Sequence, residues 1–234
     1  TREFLSALDP SQRSRAVFLF EDDERLFWHY TPIERRGLPL VEMNQRQRQL
    51  AFDLLASGMA NKGLVQAQAI IDHEMILGEL ERVARTIRWR RDTGRYFFSV
   101  FGDPSDKTPW SWRVDGHHLS LHLTIVDDQL LTTTPLFFGA NPARVPHGPK
   151  KGLRILGASE DLARELMFSL DIQQKSKALI STTAPRDIIT TNSRRVVMDS
   201  VEGLPASSLS SIQRKTLMRL IGEYLERMST EVAS

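Results

Sequence analysis

The sequence predicts an α+β fold, with helices on either side of a block of antiparallel strands. Helical periodicity runs through residues 44–80 and returns from 159 to 228. Between these stretches, residues 96–138 hold β-branched and aromatic segments of strand length, separated by turn residues. The two patterns do not alternate along the chain, so a βαβ arrangement is not indicated. About four strands are expected, including a hairpin of 117–126 with 130–138, packed with helices from both the N-terminal and C-terminal parts. The 234 residues are expected to form one domain, 1–234, large enough to bury a core without covalent staples.

In chain order, Asp9-Pro10 reads as a helix cap followed by proline at the first helical position. Arg25-Leu-Phe-Trp-His-Tyr30 reads as a short aromatic strand, and Pro32 with Gly37-Leu-Pro39 marks loop. Asn44 can cap a helix carrying Leu50, Ala51, Leu54 and Leu55. Asn61 can cap a second, with Leu64, Ala67, Ile71, Met75 and Leu80 along its apolar side. Tyr96–Phe101, Trp110–Val114, His117–Val126 and Leu130–Phe138 are the four strand candidates. With Asp127-Asp128 as a two-residue turn, His122 would face Thr133 and His118 would face Phe137. Pro135 places the fourth strand at an edge or a bulge. Ser159 and Asp171 are caps for two further helices, 181–206 is loop, and a last helix carries Leu217 to Met228.

Composition excludes several classes. There are no cysteines, so disulfides, thiolate catalysis and cysteine-ligated metals are absent. The longest apolar runs, such as Val17–Phe20 and Leu136–Phe138, fall far short of the ~20 residues that span a bilayer. A soluble chain with no membrane span is expected. The compartment stays open, because the sequence begins at Thr1 and a removed signal peptide would leave no trace. A net charge of +2 is only mildly basic. The clusters Arg88–Arg91 and Lys150–Lys151 read as solvated loops and helix ends, so no nucleic-acid partner is expected. No dinucleotide fingerprint, Walker loop or nucleophile elbow occurs.

The chemistry-bearing stretch is Trp110 to Thr124. On a strand, alternation puts His118, Ser120, His122 and Thr124 on one face and Leu119, Leu121 and Leu123 on the other. Two imidazoles on one face, with His117 at the rim, could share a metal ion such as zinc, iron or copper if a third ligand joins them. Histidines hydrogen-bonded within a half-buried strand are the bland alternative. Glu74, beside His73 on the second helix, could supply that ligand or a general base; a solvated carboxylate is its simpler reading. Trp28, Trp110 and Trp112, with Tyr30, could line a ligand pocket or belong to the core. Arg113 could clamp a carboxylate or phosphate, and Asn141 could wall the site. Gly116 reads as a turn glycine or a point of close approach.

Several blocks are distinctive together: Arg25-Leu-Phe-Trp-His-Tyr30 with Arg36-Gly-Leu38, Phe101-Gly-Asp-Pro104, Trp110-Ser-Trp-Arg113, Gly116-His-His-Leu-Ser120, and Phe138-Gly-Ala-Asn-Pro142 followed by Gly152-Leu-Arg154. In these the chain resembles an uncharacterised family known as domain of unknown function 3500. That resemblance implies no settled activity. It implies asparagine where this chain has His122, which makes His117 and His118 the better ligand candidates. It also implies that members continue past the last helix into a segment with further histidines and aspartates.

The leading expectation is a metal-dependent enzyme, a hydrolase or oxidoreductase, acting on a small organic substrate. His117, His118 and His122 would be its metal ligands, with Glu74 and Arg113 in catalytic roles. The alternative is a non-catalytic small-ligand-binding module built on the tryptophans and Arg113.

Overall fold

The computed structural model describes residues 1–104, 107–198 and 200–229. It is α+β and divides into two compact units, one spanning Thr1–Ile155 together with the segment from Glu226 onward, the other Leu156–Leu225. No helix among the described residues is long and apolar enough to cross a membrane.

The first unit is built on a sheet. Its central strands are β3 (Phe97–Phe101), β4 (Trp110–Gly116) and β5 (Leu119–Val126), all antiparallel. Each outer edge of this ribbon is shared by two short strands. β1 (Val17–Phe18) and β2 (Leu38–Pro39) both pair with β3, β1 in parallel. β6 (Gln129–Thr132) and β7 (Leu136–Phe138) both pair with β5. The sheet is therefore mixed and seven-stranded, not the four-stranded antiparallel one expected from the sequence. The extra strands have two residues each or come from the splitting of one, too short for alternation to announce them.

That splitting has a local cause. Asp127 and Asp128 both adopt left-handed conformations, φ 51° and 60°, and make the expected two-residue turn. The register then slips at a bulge between Thr124 and Ile125. Pro135 brings no N–H to the ladder, and its carbonyl instead accepts from His122 N at 3.1 Å. Beyond it, Ser120 rather than His118 faces Phe137, and the pairings His122–Thr133 and His118–Phe137 do not form.

The ribbon is buried on both faces. Phe98, Val100, Trp112, Val114, Leu119, Leu121 and Leu123 form an apolar face. Ser99, Ser111, Arg113, Asp115, Ser120 and His122 form the other, also buried. The segment 22–36 covers this polar face. It is not the strand expected over Arg25–Tyr30. A 3-10 turn, Asp23–Leu26, is capped by Asp22 and followed by irregular chain. Arg113 donates to the carbonyls of Glu24 and Phe27 and to the Glu24 carboxylate, which holds this segment to the sheet.

Four helices complete the unit: α1 (Arg2–Ser6), α2 (Pro10–Ala16), α3 (Gln45–Ser57) and α4 (Asn61–Ala84). Asp9 and Asn44 are reciprocal caps, paired with Gln12 and Gln47. The N-cap position of helix α4 is Ala60, with no side-chain cap bond, and Asn61 is its first residue. Its buried stripe is Gly63, Ala67, Ile70, Ile71, His73, Glu74 and Leu77, rotated from the one expected, so that Met75 is 62% exposed.

The second unit holds α5 (Gly157–Ser169), α6 (Ile172–Ala178) and α7 (Ser211–Leu225). Helix α5 starts before Ser159, with Leu156 as its N-cap. Asp171 caps α6 as expected. Thr216 and Arg219 of α7 bind Glu165 of α5, and Gln213 donates to Ser169 O at 2.8 Å. Met228 falls outside α7, in the part of the first unit that starts at Glu226, and bridges Met59 of that same unit.

Candidate acid–base site

Strands β4 and β5 meet at a two-residue turn made of His117 and His118, flanked by the pair Gly116 and Leu119. The histidines expected to begin a strand thus stand at its end. His118 takes a left-handed conformation, φ 59°, where glycine or asparagine would be less strained. Its backbone is pinned on both sides, His118 N to Tyr30 O at 2.9 Å and Gly139 N to His118 O at 2.8 Å. Gly116 is required by close packing. A Cβ there would stand 2.3 Å from the Tyr96 ring. The Tyr96 hydroxyl donates to His117 O at 3.0 Å, and burial beside Glu74 raises its pKa well above the usual tyrosine value, which keeps it a donor.

The turn meets helix α4 through one side-chain contact. His117 Nδ1 lies in short hydrogen-bond contact with Glu74 Oε1, and both residues are buried. Arg91 stands over the pair, 3.2 Å from His117 Nδ1 and 3.8 Å from Glu74 Oε2, and binds Glu81 through two bonds of 2.7 and 2.9 Å. With Glu74 as the carboxylate, Nδ1 is the donor of this bond, and the Arg91 guanidinium, itself a donor, is directed at the Glu74 and Glu81 carboxylates. The other ring nitrogen, Nε2, makes no hydrogen bond among the described residues.

His118 stacks on His117 with ring centroids 3.8 Å apart. Burial, then the neighbouring His117, Arg91 and His73, push its pKa down to about 3, so it is neutral at ordinary pH. His73, one residue before Glu74, places Nε2 3.0 Å from Pro142 O and leaves Nδ1 buried without a partner. A cavity of about 310 Å³ opens beside the pair, lined by Glu74 and Arg91 with Met75, Gly78, Glu79, Arg82, Ile87, Trp89 and Arg90.

The other expected site residues lie elsewhere. His122 pairs across the ladder with Arg113, on the buried polar face and roughly 10 Å along the ribbon from the turn by the strand rise. Its Nε2 meets Ser111 Oγ at 3.1 Å. Burial, with Arg113 and Arg25, also lowers its pKa to about 3. Arg113 is fully buried and bonded to the 24–27 segment. Trp112 is in the apolar core, and Trp110 is half-buried, its indole nitrogen without a partner among the described residues. Trp28 lies against Tyr30 and Phe137. Asn141 is exposed. Among the described residues, no three histidine or carboxylate side chains stand where one metal ion could be held by all of them.

Three participants were not singled out by sequence. Arg91 was part of a basic cluster read as solvated, yet its side chain is only 8% exposed. A signal existed in Gly78, an isolated glycine inside a helix. A Cβ there would stand 3.0 Å from Arg91 Cβ, so the glycine lets residue 91 fold back against α4. Nothing in the pattern marks Glu81 or Tyr96.

The fold and this site define an α+β protein with a buried glutamate–histidine pair at a hairpin turn. The chain belongs to the family described as Protein of unknown function (DUF3500), which matches residues 1–234. No curated protein and no solved structure matches it.

Proposed function

We propose that the protein is an enzyme acting on a small organic substrate by general acid–base chemistry, with His117 Nε2 as the base. The observation that carries this is the contact of Glu74 with His117 Nδ1. A carboxylate on one ring nitrogen fixes the tautomer, orients the imidazole and stabilises the imidazolium formed when the other nitrogen takes a proton. Glu74 and Arg91, the partners of His117 Nδ1, also line a cavity, which gives a substrate access to the carboxylate of the pair. A non-glycine residue held at positive φ in the same turn is the kind of local strain that clusters at functional sites. The reaction class is proton abstraction from a carbon acid, or activation of water.

The test is a panel of carbonyl compounds followed by proton NMR in deuterated water, with chromogenic esters alongside. Deuterium incorporation or hydrolysis by the wild type should fall on the order of 100-fold or more in His117→Gln and Glu74→Gln. Equal rates in all three proteins would remove the proposal.

A metal-assisted form of the reading is favoured by one observation, the two adjacent imidazoles of His117 and His118, with ring centroids 3.8 Å apart. Zinc, iron or copper would suit two imidazoles, but further ligands must come from outside the described residues. Elemental analysis of untagged protein tests it, and a metal content unchanged in His118→Ala would dispose of it.

A further inference from the structure

We infer that the ligand of this site is an amphiphile, with a polar reacting group beside Glu74 and an alkyl or aryl portion lying over Met75 in a second cavity along helix α4. This rests on the acid–base reading for the role of the polar end. The apolar end stands on separate geometry.

The second cavity, about 460 Å³, is lined by Met75, Ile76, Leu80, Val145 and Pro149, with Asp72, Glu79, His147, Gly148 and Lys150 around them. Its volume is in the range of small-molecule sites. It shares Met75 and Glu79 with the cavity that Glu74 and Arg91 line. The two therefore adjoin on one helix surface, with Met75 between them. Position 75 breaks the burial pattern of α4, since a large apolar side chain is left 62% exposed there while Glu74 beside it is buried. An apolar ligand crossing from one cavity to the other would cover it.

The chemistry differs at the two ends. Of the guanidinium groups lining the 310 Å³ cavity, Arg82 pairs with Glu79 of the same lining, and Arg90 and Arg91 pair with Asp92 and Glu81 outside it. With these guanidinium groups engaged, the end beside Glu74 suits a neutral polar group better than an anion. The five apolar side chains of the other cavity offer dispersion and desolvation to a hydrocarbon, with the polar groups Asp72, Glu79, His147 and Lys150 also in its lining. A neutral headgroup on a medium-length chain or a ring system meets both requirements.

The test uses hexanol, octanol and decanol as probes, with the matched carboxylates as the anionic arm. Binding is read from the emission of Trp89, which lines the first cavity, with Trp89→Phe as the blank, and by calorimetry. At about 0.8 kcal/mol for each buried methylene, affinity should rise about 15-fold for every two carbons added. It should fall at least tenfold in Met75→Glu, an exposed position where the fold tolerates charge, and each carboxylate should bind more weakly than its alcohol. The same measurements on His117→Gln separate the two claims, because chain-length-dependent binding there persists whether or not His117 is a catalytic base. Affinity independent of chain length, or unchanged in Met75→Glu, would overturn the inference.

Discussion

Arg35 and Asp115 form a fully buried ion pair, Nε to Oδ2 at 2.9 Å, across 80 residues of sequence. The same guanidinium donates to the carbonyls of His29, Thr31 and Ile33, and to Gly116 O at 3.1 Å. It thus ties the covering segment to the strand end that leads into His117. In Arg35→Met, Asp115 would stay buried without its ion-pair partner, and burial already pushes its pKa up. The expected loss is about 3–5 kcal/mol of unfolding free energy, measured by denaturant titration. Adding Asp115→Asn should recover part of it, and a double-mutant cycle reads that coupling.

Gly116→Ala should destabilise by about 1–3 kcal/mol through overpacking, since the new methyl meets the Tyr96 ring. Tyr96→Phe removes only the hydroxyl that holds His117 O. Its cost should be smaller, about 1 kcal/mol. Thermal unfolding of the two variants side by side checks the order.

Gly78→Leu offers a counterintuitive result. Leucine is the better helix former by somewhat less than about 1 kcal/mol, yet its side chain would displace Arg91. Stability should fall rather than rise. Arg91→Met, which cannot pair with Glu81 or Glu74, should share the change in any His117-dependent signal.

Acid should weaken the fold through its buried histidines. His118 and His122 titrate near 3 in the folded chain against 6.5 for the free side chain. Between those values the unfolded state binds more protons, so stability falls as the pH drops from about 6.5 toward 3. The contribution is fully present above 6.5. Replacing His122 by glutamine, which can still meet Ser111, should flatten the dependence by up to about 1.4 kcal/mol per pH unit in that window. Melting temperatures from pH 7 to 4 give the comparison.

The helices and the long strands were legible because their signals are local. Asn44 and Asp171 act as caps where their side chains suggest, and Asp127-Asp128 turns the β5–β6 hairpin. The mixed sheet was not legible, since β1 and β2 have two residues each and are defined by tertiary pairing alone. The site was half visible. Glu74 and His117 could be named separately, but their contact joins residues 43 positions apart. Alternation placed His118 on a strand face with His122, whereas the left-handed turn at His118 takes it out of the ladder. Arg91 was hidden because a run of basic residues looks the same in sequence whether one of them folds inward or none does.

The role of His117 as base turns on one proton, and nitrogen-15 NMR of the histidine rings reads it directly. In neutral protein labelled at histidine, His117 should show a protonated Nδ1 and a bare Nε2, and Glu74→Gln should shift that signal or mix the tautomers. A bare Nδ1 in the wild type, or a spectrum of His117 indifferent to Glu74→Gln, would contradict the assignment of His117 Nε2 as the base.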